Sequence, residues 1–172
     1  MINSVNIELL IPNYLPPDTK FGLDINSQYL LKYGFVMPVI VQTPSFLCSP
    51  PFSKPLRTIV AMALLDTGAS STAISRIIAN YLNLDPIGFS QINTAAGQAV
   101  YPDFSVDILF PSVALKSFEN IKVGTCDLPF DLNLPIDEYS SKNNFGVLIG
   151  RDMMSRWNIV WNGPTSSVFI SE

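Results

Sequence analysis

Histidine is missing altogether from the 172 residues. Its absence excludes Ser-His-Asp and Cys-His catalysis within the chain, and zinc sites built on imidazole. The two cysteines, Cys48 and Cys126, are too few for a four-cysteine zinc site and too sparse for a disulfide framework. They read as free thiols in a reducing compartment. No Walker-type GxxxxGKS/T stretch and no GxGxxG is present, so the standard phosphate-binding loops are lacking. Charge is scarce: 14 % of residues are charged, and ten Lys+Arg against fourteen Asp+Glu leave a net charge of −4. With no basic excess, nucleic-acid binding has no support. No apolar run approaches the ~18–20 residues of a membrane helix, and the opening MINSVNIELLIPNYLPP lacks a basic leader. The expectation is a cytoplasmic protein without membrane contact, without cofactor and without metal. If it is an enzyme, carboxylates, hydroxyls or lysines carry its chemistry.

Apolar residues are abundant, at 48 %, which predicts a well-filled core or a large buried interface. The length fits one domain. Fourteen prolines predict many turns and extended segments. Alternating Val5, Ile7, Leu9 and Ile11 suggest a first strand, and Pro12, Pro16 and Pro17 stop it. Phe35–Phe46 reads as a strand that Pro38 and Pro44 place at an edge or bend. Thr58–Leu65 (TIVAMALL) is a continuous apolar run stopped by Asp66-Thr67-Gly68, as in a buried strand. Ser75 is a candidate N-cap for a helix over Arg76–Leu84, with Ile77, Ile78 and Tyr81 on its apolar face. Gln91–Tyr101 reads as a hairpin turning at Ala95-Ala96-Gly97, and Asp103–Phe110 as a separate alternating strand. Residues 111–145 hold several short strands or loops. Gly146–Ile149 is a short apolar strand, and Arg151–Arg156 makes one or two helical turns, with Asp152 as cap or dipole residue. Asn158–Trp161 and Ser167–Ile170 form a last hairpin around Asn162-Gly163. Trp157 and Trp161 read as core or interface aromatics.

The chemistry concentrates in Leu64-Leu65-Asp66-Thr67-Gly68-Ala69-Ser70. A carboxylate at the end of a buried strand is held rigidly and partly desolvated. Gly68 lets the chain turn close to a reacting group, Thr67 supplies a hydroxyl that braces a tight loop, and Ala69 keeps the floor small. A bare Asp-Thr-Gly arises by chance in about one chain in thirty of this length. Its flanks and a second element, Val147-Leu148-Ile149-Gly150-Arg151-Asp152, make the coincidence far rarer. Together these segments resemble the active-site loop and the late apolar-apolar-Gly element of retropepsin-like aspartic proteases. The order of elements follows that family over roughly residues 36–170. The extra length and the helix directly after the DTG strand are closer to its cellular and bacterial members than to its viral ones.

The resemblance implies a mainly β fold, a closed acid-protease β-barrel with one or two short helices. The partition it suggests is an N-terminal extension of unknown role over 1–34 and a protease domain over 35–172. The implied activity is that of an aspartic endopeptidase. Two carboxylates close together share one proton; the ionised partner activates a water and the protonated one binds the carbonyl oxygen. The chain has one DTG, so its second Asp66 must come from another copy across a two-fold axis, which predicts a homodimer acting on a polypeptide substrate. Asp66 is then the catalytic residue and Thr67, Gly68 and Ala69 its loop. Thr94, Ala95, Ala96 and Gly97 form a flap tip over substrate, with apolar substrate side chains entering pockets. Gly150, Arg151 and Asp152 support the site, although Ser70 and Ser71 stand where viral relatives carry an acidic partner for the arginine. Ala69 cannot donate a hydrogen bond to the dyad, which argues against a strongly acidic optimum. The alternative is a non-catalytic peptide-binding or dimerisation module on the same fold.

Overall fold

The second half of the apolar run Thr58–Leu65 lacks polar alternation because it is paired along both edges and largely buried on both faces. The computed structural model describes residues 4–6, 34–94, 97–111, 115–135, 144–162 and 167–172. In chain order the strands are β1 (Ser4–Asn6), β2 (Phe35–Gln42), β3 (Thr58–Leu65), β4 (Ala73–Ser75), β5 (Gly88–Thr94), β6 (Gly97–Leu109), β7 (Phe118–Cys126), β8 (Phe145–Ile149), β9 (Asn158–Asn162) and β10 (Ser167–Ser171). Two short helices are present, α1 (Arg76–Tyr81) and α2 (Arg151–Met154), with a 3-10 turn over Ser45–Cys48.

Six strands close on themselves in the order β2-β3-β8-β4-β7-β6, and β6 returns to β2. Strand β3 lies antiparallel to β2, from Phe35 opposite Leu65 to Gln42 opposite Thr58. Its other edge runs parallel to β8, with Leu65 opposite Ile149. Tiny β4 bridges β8 and β7, and Ile40 opposite Leu109 closes the circle. Among the described residues, strand β5 pairs only with the first half of β6, so a hairpin extends beyond the barrel. A separate sheet joins β1, β10 and β9. The closed, mainly β barrel with two short helices is therefore what the sequence implied.

The interior is filled by Met37, Val39, Val41, Ala61, Ala63, Ile74, Val106, Ile108, Val147 and Ile149, all without exposed surface. Burying each larger aliphatic chain contributes about 1.5–3 kcal/mol against its exposed state. A second aromatic knot, Phe110, Phe118 and Trp157, packs edge to face with centroids 5.4–5.9 Å apart. Trp157 is thus core, whereas Trp161 is exposed and meets Phe35 edge-on at 4.1 Å.

Several local readings change. Pro38 lies in the part of β2 that pairs on one side only among the described residues, since β6 reaches Ile40–Gln42. Its missing N–H is tolerated there. The expected hairpin arm and the following strand fuse into the thirteen-residue β6. Residues read as several short pieces give the nine-residue β7, whose period-two pattern is broken by a register shift and by Asn120 at φ 50. Helix α1 begins as expected, with Ser75 Oγ accepting the Ile77 N–H at 3.3 Å, but ends at Tyr81. Ile78, Ala79 and Leu82 are its buried residues, while Ile77 and Tyr81 face outward. Of the expected first strand over 5–11, only Ser4–Asn6 is described, paired with β10; the rest lies outside the described residues.

Candidate active site

Asp66 follows β3 directly, and its N–H donates to Ile149 O at 3.0 Å, adding one rung to the parallel β3–β8 ladder. Strand ends of this kind aim the first loop residue reproducibly. The loop then folds on the carboxylate. Asp66 Oδ1 accepts the Gly68 N–H at 2.8 Å, and Asp66 O accepts the Ala69 N–H at 3.1 Å. An aspartate bonding the amide two residues on is an Asx-turn, which fixes the carboxylate rotamer through its own backbone. A Cβ on residue 68 would lie 3.0 Å from Asp66 Oδ1. A larger residue there would press on the carboxylate and force it to give by a few tenths of an ångström. Asp66 and Ala69 are half-buried, while Thr67 and Gly68 are exposed at the loop's tip.

The second motif grips this loop from behind. Arg151 N–H donates to Ala69 O at 3.0 Å and Asp152 N–H to Ser70 O at 3.3 Å, so amides at the start of α2 find acceptors in the loop. Arg151 Nη1 donates to Thr67 O at 2.6 Å. A backbone carbonyl thus serves as the acceptor for the Arg151 guanidinium. A Cβ at Gly150 would come within 2.5–2.9 Å of the Ser71 backbone, so only glycine permits the two segments to touch. Asp152 does more than cap. Its carboxylate accepts the Thr72 N–H at 2.9 Å, the Thr72 hydroxyl at 2.7 Å and the Met153 N–H at 2.8 Å. Thr72 Oγ1 in turn accepts the Gly150 N–H at 3.1 Å. Buried Thr72 therefore links the loop to both ends of the Gly150–Asp152 element.

In front of Asp66 lies an open cavity of about 770 Å³. That size accommodates several residues of an extended chain. Its wall includes Asp66, Asp103, Asp152 and Lys122 together with hydroxyls of Ser70, Ser71, Thr72 and Ser90. The expectation of apolar pockets meets a surface rich in polar groups, with Ala69, Ala73 and Leu148 as its apolar patches. Thr94 and Gly97 face each other at the end of the β5–β6 hairpin. Ala95 and Ala96 lie outside the described residues. Among the residues whose side chains are described, the β5 arm reaches the cavity through Ser90 and Gln91. Both cysteines are free; burial first and then the charge of Asp127 push the Cys126 thiol up to about 11, so it stays protonated at neutral pH.

An aspartyl protease family model matches residues 58–152, more than half of the chain, from the start of β3 to Asp152. The chain belongs to the aspartyl protease family. The match spans both motifs. Among solved structures, a retropepsin-like aspartic protease from Rickettsia conorii is similar at 17 % identity and a TM-score of 0.43, covering 80 % of this chain and 92 % of that one. The Simian foamy virus (mac) protease is similar at 13 % identity and a TM-score of 0.36, covering 69 % and 92 %. No curated protein sequence matches the chain. No helix among the described residues is long and apolar enough to cross a membrane.

Sequence reasoning missed Thr72, Ser90, Gln91 and Lys122 as parts of the wall. Asp103 enters that reading only as the first residue of an alternating strand. A threonine six residues after the aspartate, facing an Asp-bearing helix start, is a signal that could have found Thr72. Lys122 carries no such signal, because its meeting with Asp103 depends on the β6–β7 register.

Proposed function

We propose that the protein is an aspartic endopeptidase, active as a homodimer, in which Asp66 and its symmetry mate hydrolyse peptide bonds. The observation that carries this reading is the hold on Asp66. Its N–H is tied to Ile149 O, its Oδ1 to the Gly68 amide, and its face is turned to a cavity of about 770 Å³. One Asp-Thr-Gly supplies one carboxylate, so a two-fold axis beside the exposed Thr67–Gly68 tip completes the pair. Like charges at about 3 Å hold a single proton between them. The ionised carboxylate takes a proton from a bound water as it attacks the scissile carbonyl. The protonated carboxyl donates to the oxygen that becomes an oxyanion. Thr72, Gly150, Arg151 and Asp152 act as positioning residues, since they hold the loop and not the substrate. The β5–β6 hairpin, over residues 91–101, serves as the flap that closes on an extended substrate and excludes water.

The test is cleavage of a peptide library by wild type and Asp66→Asn, from pH 3 to 8, over a range of protein concentrations. Expected are loss of cleavage in the folded variant and a wild-type rate that rises faster than linearly at low concentration. Unimpaired cleavage by Asp66→Asn would overturn the mechanism. A folded dimer that binds peptide and cuts none at any pH would make the protein a binding module.

A further inference from the structure

Asp103 occupies an unusual position in the wall of the cavity. Its side chain is 1 % exposed, and its Oδ1 has no hydrogen-bond partner among the described residues. The other oxygen is well supplied. Oδ2 accepts from Ser90 Oγ at 2.7 Å and pairs with Lys122 Nζ at 2.9 Å. A buried carboxylate oxygen without a donor is costly, and folded proteins retain few of them. The cation on Oδ2 reaches in from solvent: the Lys122 side chain is 62 % exposed, on a flexible four-carbon stem. Both residues belong to the same cavity as Asp66. The charges in this wall are three carboxylates, Asp66, Asp103 and Asp152, against one ammonium, Lys122. The Asp152 oxygens are already committed to Thr72 and Met153.

We propose that Asp103, screened by Lys122, is the specificity-determining acceptor of a subsite that takes a lysine or arginine side chain of the bound peptide. The proposal rests on the reading of this cavity as a peptide site. A cationic donor from the substrate competes with Lys122 for this carboxylate, filling the empty oxygen as the ammonium turns back to solvent. The surplus of negative charge selects a cationic donor over a neutral amide. Ser90, on the β5 side of the hairpin, holds the carboxylate in place from the opposite edge. Asp103 makes no contact with the scissile bond in this scheme; it reads one side chain.

The experiment is positional scanning with a peptide library, read as cleavage by the wild-type protein and as binding to Asp66→Asn. Expected is enrichment of Lys and Arg at one peptide position. In Asp103→Asn that enrichment falls about tenfold, the loss of one charged hydrogen bond. In Lys122→Met it rises, because the competing ammonium is gone. A melt checks Asp103→Asn for folding, and Lys122→Met, altered at an exposed chain, decides the matter if that variant does not fold. A wild-type profile without a basic preference overturns the proposal, as does a preference unchanged in Lys122→Met and in folded Asp103→Asn. The two readings fail separately. Basic-selective binding to Asp66→Asn without wild-type cleavage removes the protease and keeps the subsite. Cleavage indifferent to basic residues removes the subsite and keeps the protease. Neither binding nor cleavage removes both.

Discussion

Strand β6 carries two aspartates four residues apart, Asp103 and Asp107, each 1 % exposed. Their surroundings differ completely. Asp107 has donors on both oxygens: Asn120 N–H on Oδ1 at 2.8 Å, and on Oδ2 Ser45 N–H at 2.9 Å, Gln42 Nε2 at 3.2 Å and the Ser45 hydroxyl. It pins the 3-10 turn and the irregular start of β7 to the closing seam of the barrel. Asp103 has one filled oxygen and one empty, and it borders a cavity. A buried carboxylate satisfied by backbone amides is structural, whereas one left half-satisfied at a cavity wall calls for another explanation.

The sharpest way to break this contrast is to remove Asp107. Asp107→Ala leaves two backbone N–H groups and two side chains without their acceptor, so a loss of about 3–5 kcal/mol is expected. Urea unfolding measures it. A loss under about 1 kcal/mol would mean that water replaces the carboxylate and that the pin is dispensable.

The next effect in size is acid sensitivity. Burial raises the Asp107 pKa, but its hydrogen bonds to Ser45, Asn120 and Gln42 together outweigh burial and bring it below the ordinary 3.8. A folded pKa below the unfolded one adds stability that is fully present above the unfolded value. That contribution is lost as pH falls through the lower folded value. Stability of the wild type should therefore drop below about pH 4, with a shallower fall in Asp107→Asn. Parallel curves for the two proteins would show that Asp107 does not set the acid limb.

The same strand shows what was legible in the sequence. Phe104, Val106 and Ile108 alternate, and all three are buried as period two requires. The same alternation assigns Asp103, Ser105 and Asp107 to solvent. Only Ser105 of the three has appreciable exposure, because β5 and Lys122 cover one end and the 3-10 turn covers the other. Period two reports which residues share a face, and tertiary structure decides what lies over that face. Asp66-Thr67-Gly68 and Gly150 were legible for a different reason: their bonds are to their own loop or to a segment that must contain glycine, so the chemistry is written locally. Thr72 needs the Asp152 carboxylate from 80 residues away, and Lys122 needs a register. Neither is visible in a local window. Of the apolar face expected for α1, Ile78 packs inward, whereas Ile77 and Tyr81 face outward although they are large and apolar; Ile78 and Leu82 form the stripe that packs.

The smallest effect separates the two aspartates most cleanly. Replacing Asp103 with Asn removes a charge from a buried position, which relieves desolvation. It also takes from Lys122 a partner that an exposed ammonium readily replaces with water, a loss of at most about 1 kcal/mol. The remaining amide oxygen still accepts from Ser90, and the amide nitrogen takes the place of an oxygen bonded to nothing among the described residues. These terms oppose each other, so the stability of Asp103→Asn should stay within about 1 kcal/mol of wild type in the same urea experiment. A loss as large as that of Asp107→Ala would make Asp103 a second structural pin. Near-neutral stability combined with an altered peptide profile would instead assign the strand two aspartates with two roles, one holding the barrel shut and one facing what enters it.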